Sequence, residues 1–173
     1  FRYYGGIKAL YAPLKTRVSS ASKPLKVNFL DIGQGDATFI EFPNGEQVLI
    51  DCAVDARILE ALGRVMDFYD HEIDYVVVTH PDMDHYGGCV DVLRRFKIKT
   101  LIYDGFVKHE SEYWRFFMDT VKSLEASGLS FVQANSEFSW DFGGSQIDFL
   151  FPDRDISVHG PPPGIDPSSG NNA

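Results

Sequence analysis

Apolar and polar positions change rhythm several times along this chain of 173 residues, and each change marks an element. Lys26 to Ile32, Ala37 to Phe42 and Gln47 to Asp51 are short β-prone runs, separated by Gly33-Gln34-Gly35-Asp36 and by Pro43-Asn44-Gly45. Asn44-Gly45 is a strong hairpin signal, because both residue types tolerate the positive φ that tight hairpin turns demand. From Ala56 to Tyr69 the apolar residues Ile58, Leu59, Leu62, Val65, Met66 and Tyr69 recur at helical spacing, with Asp55 placed as N-cap. Asp74 to Thr79 is continuously apolar through Tyr75-Val76-Val77-Val78, as in a strand covered on both faces.

Further along, Val90, Leu93 and Phe96 predict a helix over Gly88 to Phe96, and Thr100 to Tyr103 a short strand. Ser111 to Ser127 is a long amphipathic helix carrying Trp114, Phe117, Met118, Val121 and Leu124 on one face, stopped at Ser127-Gly128. Strands return at Phe131-Val132, Glu137 to Trp140 and Gln146 to Phe151, around a Gly143-Gly144 turn. Residues 1 to 24 keep neither period for long and read as a linker or tether. After Pro152 the stretch Gly160-Pro161-Pro162-Pro163-Gly164 offers little that packs.

A hydrophobic content of 44% suits one globular domain. A formal charge of -9 provides no broad positive field, so any contact with nucleic acid has to be local. No apolar stretch approaches the roughly 20 residues needed to span a bilayer. No signal segment stands at the start, yet the chain begins at Phe1 and an upstream segment is possible, which leaves localisation open. Cys52 and Cys89 form no C-x-x-C pattern and are expected to be buried small hydrophobes.

The chemistry concentrates in Thr79-His80-Pro81-Asp82-Met83-Asp84-His85-Tyr86-Gly87-Gly88. Here His80, Asp82, Asp84 and His85 crowd four potential metal ligands into six positions, directly after an apolar run. Carboxylates this close repel one another unless a cation compensates them. Pro81 favours extended geometry at His80, so residues 80 and 82 should face one cation, while Asp84 and His85 could hold a second. Two hard cations sharing a water would lower its pKa and stabilise charge on a phosphoryl or carbonyl oxygen. Gly87-Gly88 allows close backbone approach beneath them. The plainer reading makes Asp82 and Asp84 helix caps and the histidines loop residues, but the four together favour metal.

Other signals are weaker. Gly33-x-Gly35 lacks a third glycine and leads into a strand, so a dinucleotide site is rejected; a turn beside the metals or a plain hairpin turn remains. His71, His109 and His159 are expected at the surface. The acidic run Asp67-Asp70-Glu72-Asp74 reads as a solvated helix end and loop, and Trp114 and Phe117 as core rather than base-stacking residues.

The cluster resembles the His-x-His-x-Asp-His signature of the metallo-β-lactamase superfamily, with Asp82 where the second His usually stands. That departure, together with Phe29-Leu30-Asp31-Ile32-Gly33-Gln34-Gly35-Asp36-Ala37, Val48-Leu49-Ile50-Asp51 and Asn171-Asn172-Ala173, is similar to the ComEC/Rec2 group of DNA-uptake proteins. The resemblance implies an α/β fold, an αββα sandwich over residues 25 to 173, with two divalent metals, Zn or Mn. It puts His80 and Asp82 on one metal, Asp84 and His85 on the other, Asp36 and Asp51 just behind them, and Asp84 as the residue orienting or deprotonating the water. The harder Asp82 ligand shifts preference toward Mn. The group's downstream Thr-Gly-Asp and Gly-His-His-Gly motifs do not follow, so the N-terminal part of a domain is expected, with weak metal binding and an exposed apolar sheet face. The implied function is a phosphodiesterase or nuclease, acting on DNA beside a membrane-channel partner in the cell envelope. An ester, lactone or thioester hydrolase, or a non-catalytic module of a DNA-uptake assembly, are the alternatives.

Overall fold

The computed structural model describes residues 23–106, 111–134 and 139–152. The linker over residues 1 to 22, His109, His159, the Pro-rich stretch and Asn171-Asn172-Ala173 lie outside the described residues. A six-stranded mixed sheet runs in chain order: β1 (Lys26–Phe29), β2 (Thr38–Glu41), β3 (Gln47–Ile50), β4 (Glu72–Val78), β5 (Lys97–Tyr103) and β6 (Ser130–Gln133). The first three strands are antiparallel, and β3 to β6 are mutually parallel. The strands β7 (Ser139–Asp141) and β8 (Gln146–Asp148) form a separate hairpin.

Parallel neighbours need crossovers, and helices supply them. α1 (Arg57–Gly63) joins β3 to β4, α2 (Met83–Tyr86) and α3 (Cys89–Arg95) join β4 to β5, and α4 (Glu112–Glu125) joins β5 to β6. The apolar faces of α1, α3 and α4 share one core with Phe39, Leu49, Val76 and Leu101 of the sheet. On the opposite face Trp140 and Phe142 of the hairpin segment cover Val48, Val77 and Ile102. β4 is thus covered on both sides, as its unbroken apolar run predicts. Farther along that second face the edge strand β1 leaves Val27 and Phe29 at 45% and 83% exposure. Among the described residues no helix is long and apolar enough to cross a membrane.

Several boundaries differ from the sequence pattern. The helix expected to reach Tyr69 stops at Gly63, and Phe68 and Tyr69 lie in solvent. Its apolar period continues past the point where core is available to receive it. Asp55 starts the helix one residue earlier than a cap, its Oδ1 accepting from Arg57 N at 3.0 Å, while Ala56 holds the N-cap position. Ser111 does cap α4, accepting from Trp114 N at 3.2 Å, and Trp114 and Phe117 are buried as expected. The acidic run is not simply solvated. Asp74 accepts from Gln47 N at 2.8 Å and pairs with Lys99, Asp70 accepts from Gln47 Nε2 at 2.6 Å, and Glu72 pairs with Lys97 at 2.9 Å. The parallel register of β3, β4 and β5 brings those partners alongside.

Candidate metal centre

The cluster sits where the parallel strands end, the edge of an open α/β sheet at which ligands bind. β4 stops at Val78, and Thr79, His80 and Pro81 carry the chain into the four-residue helix α2. Asp82 precedes that helix in extended geometry and makes no side-chain cap hydrogen bond, so capping is not its role. Its Oδ2 lies 3.6 Å from Nε2 of His80. The His80 and His85 rings lie 3.9 Å apart between centroids, and His85 Nε2 lies 3.9 Å from Asp36 Oδ2 on the exposed rim.

Backbone hydrogen bonds stitch three loops together here. Asp36 N donates to Asp84 O at 3.1 Å, Cys52 N to His85 O at 2.6 Å, Ala53 N to Asp36 O at 3.0 Å and Gly88 N to Ala53 O at 3.1 Å. The approach is so close that a Cβ at Gly35 would collide with the Asp84 carbonyl, and one at Gly87 with the Val54 carbonyl. The Gly33 to Asp36 segment is therefore a turn built against the His80 to His85 loop. Gly87 and Gly88 serve as expected, giving backbone room beneath it.

Asp51 governs the electrostatics. It is 3% exposed, with φ of 59° at the end of β3, in a left-handed conformation that costs a non-glycine residue on the order of 1 kcal/mol or more. Its carboxylate accepts from Thr79 N at 2.9 Å and from Thr79 Oγ1 at 2.7 Å, and lies 2.8 Å from His85 Nδ1. A carboxylate only accepts, so His85 must carry a proton on Nδ1, which in the neutral ring leaves Nε2 as a lone pair. Burial alone would lower the His85 pKa, but the hydrogen bond and charge of Asp51, aided by Asp84 and Asp36, outweigh it and raise it. His80 is shifted the other way, lowered first by burial and then by the neighbouring His85 ring. A neutral imidazole is the form that binds a cation.

Nε2 of His80 is buried and has no hydrogen-bond partner among the described residues. A buried polar atom left bare in this way costs free energy unless something binds it. A bare imidazole nitrogen, a second imidazole and nearby carboxylates are a donor set suited to Zn or Mn. Among the described residues, no three such side chains converge tightly enough to form a finished cage.

Two features escaped the sequence pattern. Cys52 and Cys89 are buried, as expected, but they are not separate thiols: they form a disulfide across 37 residues, with Cα atoms 5.1 Å apart. It ties the segment after Asp51 to the start of α3, just past the His80 to His85 loop. No spacing rule reveals it, because the parallel sheet creates the proximity. Asp104 follows β5 at the same edge, 8% exposed, with Oδ1 accepting from Phe106 N at 2.9 Å. Burial first, and then the charge of Asp51, push its pKa up to about 7. Tyr103-Asp104-Gly105 looks like a strand end and turn, and nothing in it announces burial. The surface expectation for His71 is met.

The sequence profile of the metallo-beta-lactamase superfamily matches residues 30–168. A metallo-beta-lactamase fold-containing protein, ST1585, of Sulfurisphaera tokodaii is 26% identical over 133 residues, which cover 65% of this chain and 50% of that protein. The chain thus spans about half the length of the curated relative it matches. With the mixed sheet, its helices and the extent of the profile match, this chain belongs to the metallo-beta-lactamase superfamily.

Proposed function

We propose that this protein is a metal-dependent hydrolase of phosphodiesters, with a nucleic-acid strand as its substrate class. The observation that carries the hydrolase reading is the buried Nε2 of His80, without a hydrogen-bond partner among the described residues and 3.6 Å from Asp82 Oδ2, beside a second imidazole whose other nitrogen is already engaged by Asp51. His80 and Asp82 would hold one divalent cation, Zn or Mn, and Asp84 and His85 another. Bound there, such cations would supply Lewis-acid polarisation of the scissile group and charge stabilisation. Asp84 orients the attacking water and takes up its proton. The substrate class rests on the resemblance of Phe29 to Ala37 and of the Asp82-containing cluster to the ComEC/Rec2 DNA-uptake proteins. With a net charge of -9, the strand would be held at the site rather than by a broad basic surface.

The test is turnover by the full-length protein of bis(p-nitrophenyl) phosphate and single-stranded DNA, against a lactone and a thioester, with Mn²⁺ or Zn²⁺. Phosphodiester cleavage that stops with chelator supports the proposal. Lactone or thioester turnover instead would move the substrate to carbonyl chemistry, and cation binding without any turnover would make this a binding module.

A further inference from the structure

Thr79 lies between the buried carboxylate and the first histidine, and its hydroxyl touches both. Its Oγ1 is 2.7 Å from Asp51 Oδ2 and 3.0 Å from His80 Nδ1, while its backbone N–H donates to Asp51 Oδ1 at 2.9 Å. A hydroxyl has one proton to give. Asp51 can only accept, so that proton points to the carboxylate. The lone pairs of the oxygen are then left for His80, which must present a protonated Nδ1 to complete the contact. In a neutral imidazole a proton on Nδ1 leaves Nε2 as a bare lone pair. That nitrogen is the buried one without a hydrogen-bond partner among the described residues.

We infer that Thr79 is a positioning residue: its hydroxyl relays the Asp51 carboxylate to His80 and fixes the tautomer in which Nε2 is open to a cation. Asp51 then presets both imidazoles, His85 by direct contact at 2.8 Å and His80 through one intervening hydroxyl. The relay also holds the His80 ring by its far edge, at the point where the chain leaves β4. Its purpose, though not its geometry, rests on the metal-site reading above.

Nitrogen-15 NMR of the histidine rings in the cation-free, full-length protein reads the tautomer directly. The expected result is His80 protonated at Nδ1 in the wild type and shifted toward the Nε2-protonated form in Thr79→Val, which keeps the side-chain shape and removes the hydroxyl. Co²⁺ affinity, followed by visible absorption, should weaken on the order of tenfold in Thr79→Val, the scale of effect of residues that orient metal ligands, and recover in Thr79→Ser. A wild-type His80 protonated at Nε2, or a Thr79→Val protein with unchanged tautomer or unchanged Co²⁺ affinity, would overturn the inference. Absence of Co²⁺ binding in the wild type would overturn the metal-site reading and the relay's purpose, while the ring nitrogens would still report on the relay itself.

Discussion

At the end of the sheet where the parallel strands begin, carboxylates meet fixed cations: Glu72 pairs with Lys97, and Asp74 with Lys99. At the end where the same strands finish, Asp51 and Asp104 take their described hydrogen bonds from backbone amides, a hydroxyl and an imidazole. Both ends carry clustered acid, and the first neutralises it with lysines built into the neighbouring strand. The second keeps the Asp51 carboxylate against the His85 imidazole, with the His80 ring and its buried Nε2 next to it. Acidity as such therefore does not mark a site. What distinguishes the second end is a buried carboxylate engaged by a hydroxyl, a backbone amide and an imidazole, in loops joined by backbone hydrogen bonds.

The sharpest way to break this contrast is at the proposed ligands. Asp84→Asn should lower phosphodiester turnover by about 10²-fold to 10⁴-fold while circular dichroism stays unchanged; a loss under threefold would remove Asp84 from the chemistry. Next comes Asp104, whose pKa stands at about 7 when folded against an ordinary 3.8. A raised pKa means the folded state keeps a proton that the unfolded chain releases. The stability it contributes is complete below about pH 4 and is lost as pH rises through about 7. In the cation-free protein that loss is on the order of 4 kcal/mol at most, and Asp104→Asn should abolish it. Urea unfolding of both proteins at pH 4 and pH 8 checks this, and parallel pH dependence in the two would refute it.

Removing the cross-link with Cys52→Ala/Cys89→Val should cost about 2–4 kcal/mol, read from the denaturation midpoint, since a loop of 37 residues is freed in the unfolded chain. A smaller loss would mean that the backbone hydrogen bonds between the loops suffice without it. The weakest effect belongs to the opposite edge. Lys99→Ala should cost on the order of 1 kcal/mol, fade with added salt and leave Co²⁺ binding untouched. A change in Co²⁺ affinity there would show that the two ends are coupled.

Much of the fold is legible one segment at a time. The β-branched run of β4, the Ser111 cap and the apolar face of α4 are local signals, and each predicts its element within a few residues. The α1 pattern misleads because an amphipathic period says which residues can be buried, and not whether a core waits for them. Met66 finds one, and Phe68 and Tyr69 do not. In the site, the four ligand-type residues stand out because they are contiguous. Asp104 does not, since its burial depends on neighbouring strands, and the role of the Thr79 hydroxyl depends on which groups lie across from it in space.

The sequence by itself carried the crowding of ligand-type side chains at His80, Asp82, Asp84 and His85, the glycines that let loops approach and the alternation of strand and helix, because these belong to adjacent residues. Tertiary structure alone decided that Cys52 meets Cys89, that Asp51 reaches Thr79 and His85, and that Asp104 is buried. Those facts depend on strands 25 or more residues apart lying side by side in parallel register. Hydrogen-bond direction and desolvation act through space, and neither can be read from neighbours along the chain.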